Sequence, residues 1–73
     1  MTEGVVYQLL DDLGEIPAGL WVVIDLGMMI TLSRLGEDED GSLCTTHRRV
    51  KVTRDEMERF TRVGISIEAQ LLP

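Results

Sequence analysis

Two apolar runs of strand length, Leu20 to Leu26 and Met28 to Leu35, meet at one glycine, Gly27, and constrain this chain more than any other feature. Both are rich in Val, Ile and Leu and bounded by glycines, so they read as the central strands of a sheet. Gly27 marks a tight turn or a bulge. In Asp25-Leu26-Gly27-Met28 the glycine stands where a type II turn needs a positive φ, so the turn is preferred, although one long bent strand would show the same letters. Alternation places Leu20, Val22, Ile24 and Leu26 on one face, and Met28, Ile30 and Leu32 on one face of the partner strand; these are the expected core. Trp21 and Val23 make the opposite face apolar too. Either the sheet is covered on both sides, or part of one side awaits a partner, with Trp21 as core or as anchor.

The flanking segments supply the remaining elements. Val5 to Leu10 suits a first strand, followed by turn chemistry in Asp11-Asp12-Leu13-Gly14-Glu15 and a loop through Pro17, with Gly19 free to take a positive φ before the next strand. Gly36 to Gly41 is an acidic connection whose Asp40-Gly41 step signals a hairpin, and Leu43 to Val52 reads as another strand. On it, Cys44, Thr46, Arg48, Val50 and Val52 share one side, and Thr45, His47, Arg49 and Lys51 the other. Thr53-Arg54-Asp55-Glu56 is a capping box. A helix of about three turns is expected to start there, with Met57, Phe60 and Val63 on its inner face and Gly64 ending it. Beyond it, Ile65, Ile67, Ala69 and Leu71 alternate with polar residues, as a last strand or an extended tail over 65–73.

Size and charge bound the function. The 73 residues are expected to form one domain, 1–73, with one modest core and little material left to wall a catalytic cleft. The longest apolar stretch, Leu20 to Leu32, holds Asp25 and is too short for a membrane-spanning helix. The acidic start, Met1-Thr2-Glu3-Gly4, is unlike a secretory signal, and the lone Cys44 fits a reducing compartment, so a cytoplasmic protein is expected. The net charge of −6 conceals a division. Up to Gly41, nine carboxylates face one base, Arg34; from Ser42 onward, six bases face four acids.

Catalytic constellations fail for want of parts. His47 is the only histidine, and Cys44, three residues earlier on a strand, points to the opposite face. Ser33, Ser42 and Ser66 sit in no glycine elbow, and the glycines form no phosphate-cradling pattern. Glu37 to Asp40 echo a calcium loop but lack its ligand spacing and flanking helices. No enzymatic activity, cofactor or metal site is expected. The basic strip His47, Arg48, Arg49, Lys51 and Arg54 reads either as a solvated surface paired with the helix carboxylates or as a docking strip for phosphate or an acidic protein patch. Tyr7, Trp21 and Phe60 are scattered and make no evident stacking platform, so protein is the preferred partner.

In length, acidity, strand-rich body, single short helix and basic junction, the chain resembles the small phage-encoded regulators that bind the host's RNA polymerase, repress promoter initiation and promote readthrough of terminators. The likeness is one of size and character and carries no residue roles across. It implies docking near the polymerase's largest subunit. The segment Ile16-Pro17-Ala18-Gly19-Leu20-Trp21-Val22-Val23 is similar to the loop-to-strand passage of small SH3-like barrels of the translation and transcription elongation type, which contact nucleic acid or protein.

The expected fold is α+β: a twisted, largely antiparallel sheet of four to five strands, or an SH3-like barrel, with one short helix. The expected function is binding to bacterial RNA polymerase, with Arg48, Arg49, Lys51 and Arg54, and with Trp21 or the Val5-Val6-Tyr7 strand, at the interface. The alternatives are a nucleic-acid-binding barrel using the same four bases, and an acidic DNA mimic or antitoxin-like inhibitor using Glu37 to Asp40 with Asp11 and Asp12.

Overall fold

The computed structural model describes residues 2–66. The two apolar runs form antiparallel strands, β2 (Gly19–Leu26) and β3 (Ile30–Glu37), joined by a turn over Gly27 to Met29. They are flanked by β1 (Val5–Leu9) and β4 (Leu43–Val52); a single helical turn, α1 (Arg54–Met57), leads to β5 (Phe60–Ser66). The strand order is β4-β3-β2-β1-β5, a meander whose last strand returns beside the first. Every pairing is antiparallel. This is the expected α+β sheet with one short helix, and it is not closed into a barrel.

Each face of the sheet carries a buried apolar cluster, and the two are unequal in size. The larger core gathers Leu9, Ile16, Trp21, Val23, Ile30, Leu32, Val52, Met57 and Phe60, so α1 and the β1–β2 loop cover that face. The indole N–H of Trp21 donates to the Pro17 carbonyl at 3.2 Å, which satisfies the polar atom of a fully buried ring and ties down the loop. The smaller cluster, on the opposite face, is Val6, Val22 and Leu35, with Leu20, Ile24 and Leu43 half-buried around it.

The expected core is therefore corrected. Trp21 and Val23 face the main core, whereas Leu20, Val22 and Ile24 lie on the opposite face, where Val22 is fully buried in the smaller cluster. The pairing slips between Val23 and Asp25, and this irregularity moves Leu26 onto the Trp21 face opposite Ile30, where strict alternation had kept it with Val22. Ile30 and Leu32 are core as expected, whereas Met28 is 99% exposed at the apex of the turn. Gly27 does not supply a positive φ there; among the described residues that conformation belongs to Gly4, Gly14, Gly19 and Gly41. Gly27 instead donates its N–H to the Met29 carbonyl at 3.2 Å, which closes the turn.

The helix is shorter than expected. The capping box is present: Thr53 Oγ1 accepts from Glu56 N–H at 3.1 Å, and Glu56 Oε1 accepts from Thr53 N–H at 2.9 Å. The N–H groups of Glu58 and Arg59 then bond the carbonyls three residues back, tightening the turn and ending it. Phe60 is buried through β5 rather than a helix face, Val63 is exposed, and Gly64 lies within the strand instead of capping a helix. The strand expected after the helix thus begins earlier, at Phe60; the rest of the strand or tail expected over 65–73 lies, from Ile67, outside the described residues.

The Asp40-Gly41 hairpin is present. The Asp38 carboxylate accepts from the N–H groups of Asp40 and Ser42, both at 2.9 Å, and Gly41 takes φ +80°. The side chain thus bridges the loop between the end of β3 and the start of β4.

Candidate functional site: the basic edge strand

β4 lies at one end of the strand order and pairs only with β3 among the described residues. Its side chains divide by register. Val50 and Val52 stand opposite Leu32 and Ile30 and face the main core, while Arg49 and Lys51 stand opposite Ser33 and Thr31 on the other face and are exposed. Arg48 and His47 are also exposed, and Arg54 follows at the start of α1. From Ser42 to Arg54 the chain carries no carboxylate.

A register shift between Ser33 and Leu35 sets where these bases point. Arg49 pairs with Ser33 but Thr45 with Leu35, so Thr46, His47 and Arg48 together face a single residue, Arg34. This bulge is stitched on both sides. The buried Ser33 hydroxyl donates to the Thr46 carbonyl at 3.1 Å; the Thr46 hydroxyl donates to the Arg34 carbonyl at 2.9 Å and accepts the Arg48 N–H at 3.2 Å. Arg48 leaves the bulge toward the β1–β2 loop, where its guanidinium donates to the Glu15 carbonyl at 3.5 Å. The strip thus splits: Arg49 and Lys51 form an exposed pair on one face, while Arg48 reaches back over the loop.

The other residues expected at an interface are elsewhere. Trp21 is fully buried, and Val5 and Val6 are buried at 6% and 2% exposure, so none of the three offers side-chain surface to a partner. Tyr7, half-buried, packs against the main core on β1, which lies inside the sheet between β2 and β5. Among the described residues, the large apolar side chains left exposed are instead Met28, Met29, Leu10 and Val63. Met28 and Met29 were legible only once the turn was placed over them, since the run reads as continuous strand. The chain's three aromatics are Trp21, Phe60 and Tyr7, the first two buried, so no ring is presented as a base-stacking platform.

Two of the carboxylates assigned to an acidic-mimic surface serve local structure. Asp12 Oδ1 accepts the Ala18 N–H at 2.8 Å, and Asp38 holds the β3–β4 loop. Asp11 and Asp12 also line, with Leu9, Leu10, Leu13 and Arg59, a depression of about 170 Å³ beside the β1–β2 loop. Cys44 is half-buried, its thiol 3.7 Å from the Gly36 carbonyl, while His47 is exposed within the bulge. Among the described residues no helix is long and apolar enough to cross a membrane. Comparison with protein-family models, with curated proteins and with solved structures returns no match.

Proposed function

We propose that this chain is a non-enzymatic regulator of transcription that docks the basic side of β4 on bacterial RNA polymerase, repressing promoter initiation and favouring terminator readthrough. The observation that supports docking at β4 is the acid-free edge strand, with Arg49 and Lys51 exposed on one face, in a molecule of net charge −6. The overall charge repels nucleic acid at long range, and the burial of Trp21 and Phe60 removes the rings that single-strand binders use. An acidic protein surface needs no stacking rings, and the acid-free strand offers it a local positive contact despite the overall charge. The polymerase itself is what the resemblance to phage regulators implies.

The finer fold reading is an SH3-like barrel left open between β4 and β5. The return of β5 beside β1 after one helical turn supports it. On that reading the second function is nucleic-acid binding through Arg48, Arg49, Lys51 and Arg54.

Purified bacterial RNA polymerase separates the two. The chain should bind it in the micromolar range and depress run-off transcription, and Arg49→Glu with Lys51→Glu should weaken binding at least about tenfold. No complex at micromolar concentrations excludes the polymerase. Duplex DNA binding that weakens steeply with salt would move the assignment to nucleic acid.

A further inference from the structure

The outer edge of β4 leaves a row of backbone donors and acceptors without a partner strand among the described residues. Exposed edges invite strand addition, and proteins protect them with bulges and basic side chains. β4 has both, but its protection is selective. Pairing with β4 of a second copy would set Arg48, Arg49 and Lys51 against the same residues, and like charges opposed across strands repel. A carboxylate-rich strand is attracted by the same side chains.

We infer that β4 accepts its partner as an added strand: an extended segment of another protein, alternating acidic and apolar residues, pairs along the edge at Arg49–Val52. The inference rests on the reading that β4 docks a protein. The alternation follows from the register. On one face the added side chains lie beside Arg49 and Lys51, which are exposed and have no carboxylate near them in the strand. On the other they lie beside the half-buried Val50 and the buried Val52, where apolar groups extend the main core. The stitched bulge at Thr46 to Arg48 bounds the regular segment at one end, and the Thr53 cap bounds it at the other. The site therefore takes a short strand, and backbone hydrogen bonds supply the affinity while alternate side chains supply the choice of partner.

The test uses the full chain, isotopically labelled, and a synthetic peptide of about eight residues alternating Glu with Val, together with two versions N-methylated at alternate positions so that one or the other backbone edge cannot donate. The expected result is amide shifts and slowed hydrogen exchange in Arg49–Val52, loss of at least about tenfold in affinity for one methylated version only, and a similar loss with Arg49→Glu and Lys51→Glu. If both methylated versions bind like the parent and charge reversal still weakens binding, strand addition is wrong while β4 docking stands. If the peptide does not bind, or binds with shifts away from β4, the inference fails; retained β4-dependent polymerase binding then preserves the docking reading, and its loss removes both.

Discussion

The Arg34 guanidinium lies over the Trp21 ring, its Cζ 5.5 Å from the ring centroid, on paired positions of β3 and β2. It caps the exposed rim of the main core with a charge that the ring's π-face attracts, a contact of about 0.5–1 kcal/mol at a partly exposed site. Space for it comes from Gly19. A Cβ there would stand 2.7 Å from Arg34 Nη2, and φ is +143°.

Gly19→Ala is therefore expected to destabilise by about 1–3 kcal/mol, from backbone strain and from displacing the guanidinium. Urea unfolding followed by Trp21 fluorescence measures it. In the Gly19→Ala, Arg34→Ala double variant the clash disappears and the φ strain remains, so the double variant should be more stable than the sum of the single effects. Strict additivity would show that Gly19 and Arg34 do not constrain each other.

Met28 and Ile30 are neighbours in the same apolar run with opposite fates, 99% and 0% exposed. Met28→Ser should leave the free energy of unfolding, from urea titration, within about 0.5 kcal/mol of wild type. Ile30→Ala should cost about 2–5 kcal/mol, because a fully buried branched side chain leaves a cavity. Comparable effects at the two positions would contradict the placement of the turn.

Those two residues also show why strand identity was easier to read than strand face. Leu43–Val52 was legible to the residue because Asp40-Gly41 punctuates one end and the Thr53 cap the other, both local signals. The face of β2 was legible only in part: the slip between Val23 and Asp25, which comes from pairing with β3 and leaves no mark in the letters, displaces Leu26, and which apolar face holds the main core depends on α1 and the β1–β2 loop covering the Trp21 side. Met57, Phe60 and Val63 fit a helical period, yet from Phe60 the chain pairs with β1 as Leu9↔Phe60, Gln8↔Thr61 and Tyr7↔Arg62. Over so short a stretch both periods fit, and long-range pairing decides. The basic residues were visible as a cluster, but that they sit on an edge strand follows only from the strand order.

Thr53 carries the whole N-terminus of a one-turn helix, accepting from Glu56 N–H while Glu56 returns the bond. With so few helical residues, no other turn compensates for the loss of the cap. Thr53→Ala should cost about 0.5–2 kcal/mol, and Thr53→Asp, which keeps an acceptor, should recover most of it in the same urea titration.

Ser33 and Thr46 determine how the basic edge is presented, because their hydroxyls bridge the bulge in opposite directions, Ser33 to the Thr46 carbonyl and Thr46 to the Arg34 carbonyl. Ser33 is 1% exposed, so Ser33→Ala removes a donor from a site that water reaches poorly and should cost about 1–3 kcal/mol. Ser33→Thr keeps the hydroxyl but adds a methyl among packed neighbours, so its cost measures crowding instead. The distinguishing readout is local. In Ser33→Ala, amide exchange should quicken in Thr46 to Arg48 while the Ile30↔Val52 end of the pairing stays protected, and binding through Arg49 and Lys51 should weaken because the strand that aims them has loosened. Uniformly faster exchange across β3 and β4 would mean that Ser33 supports the whole hairpin rather than the bulge.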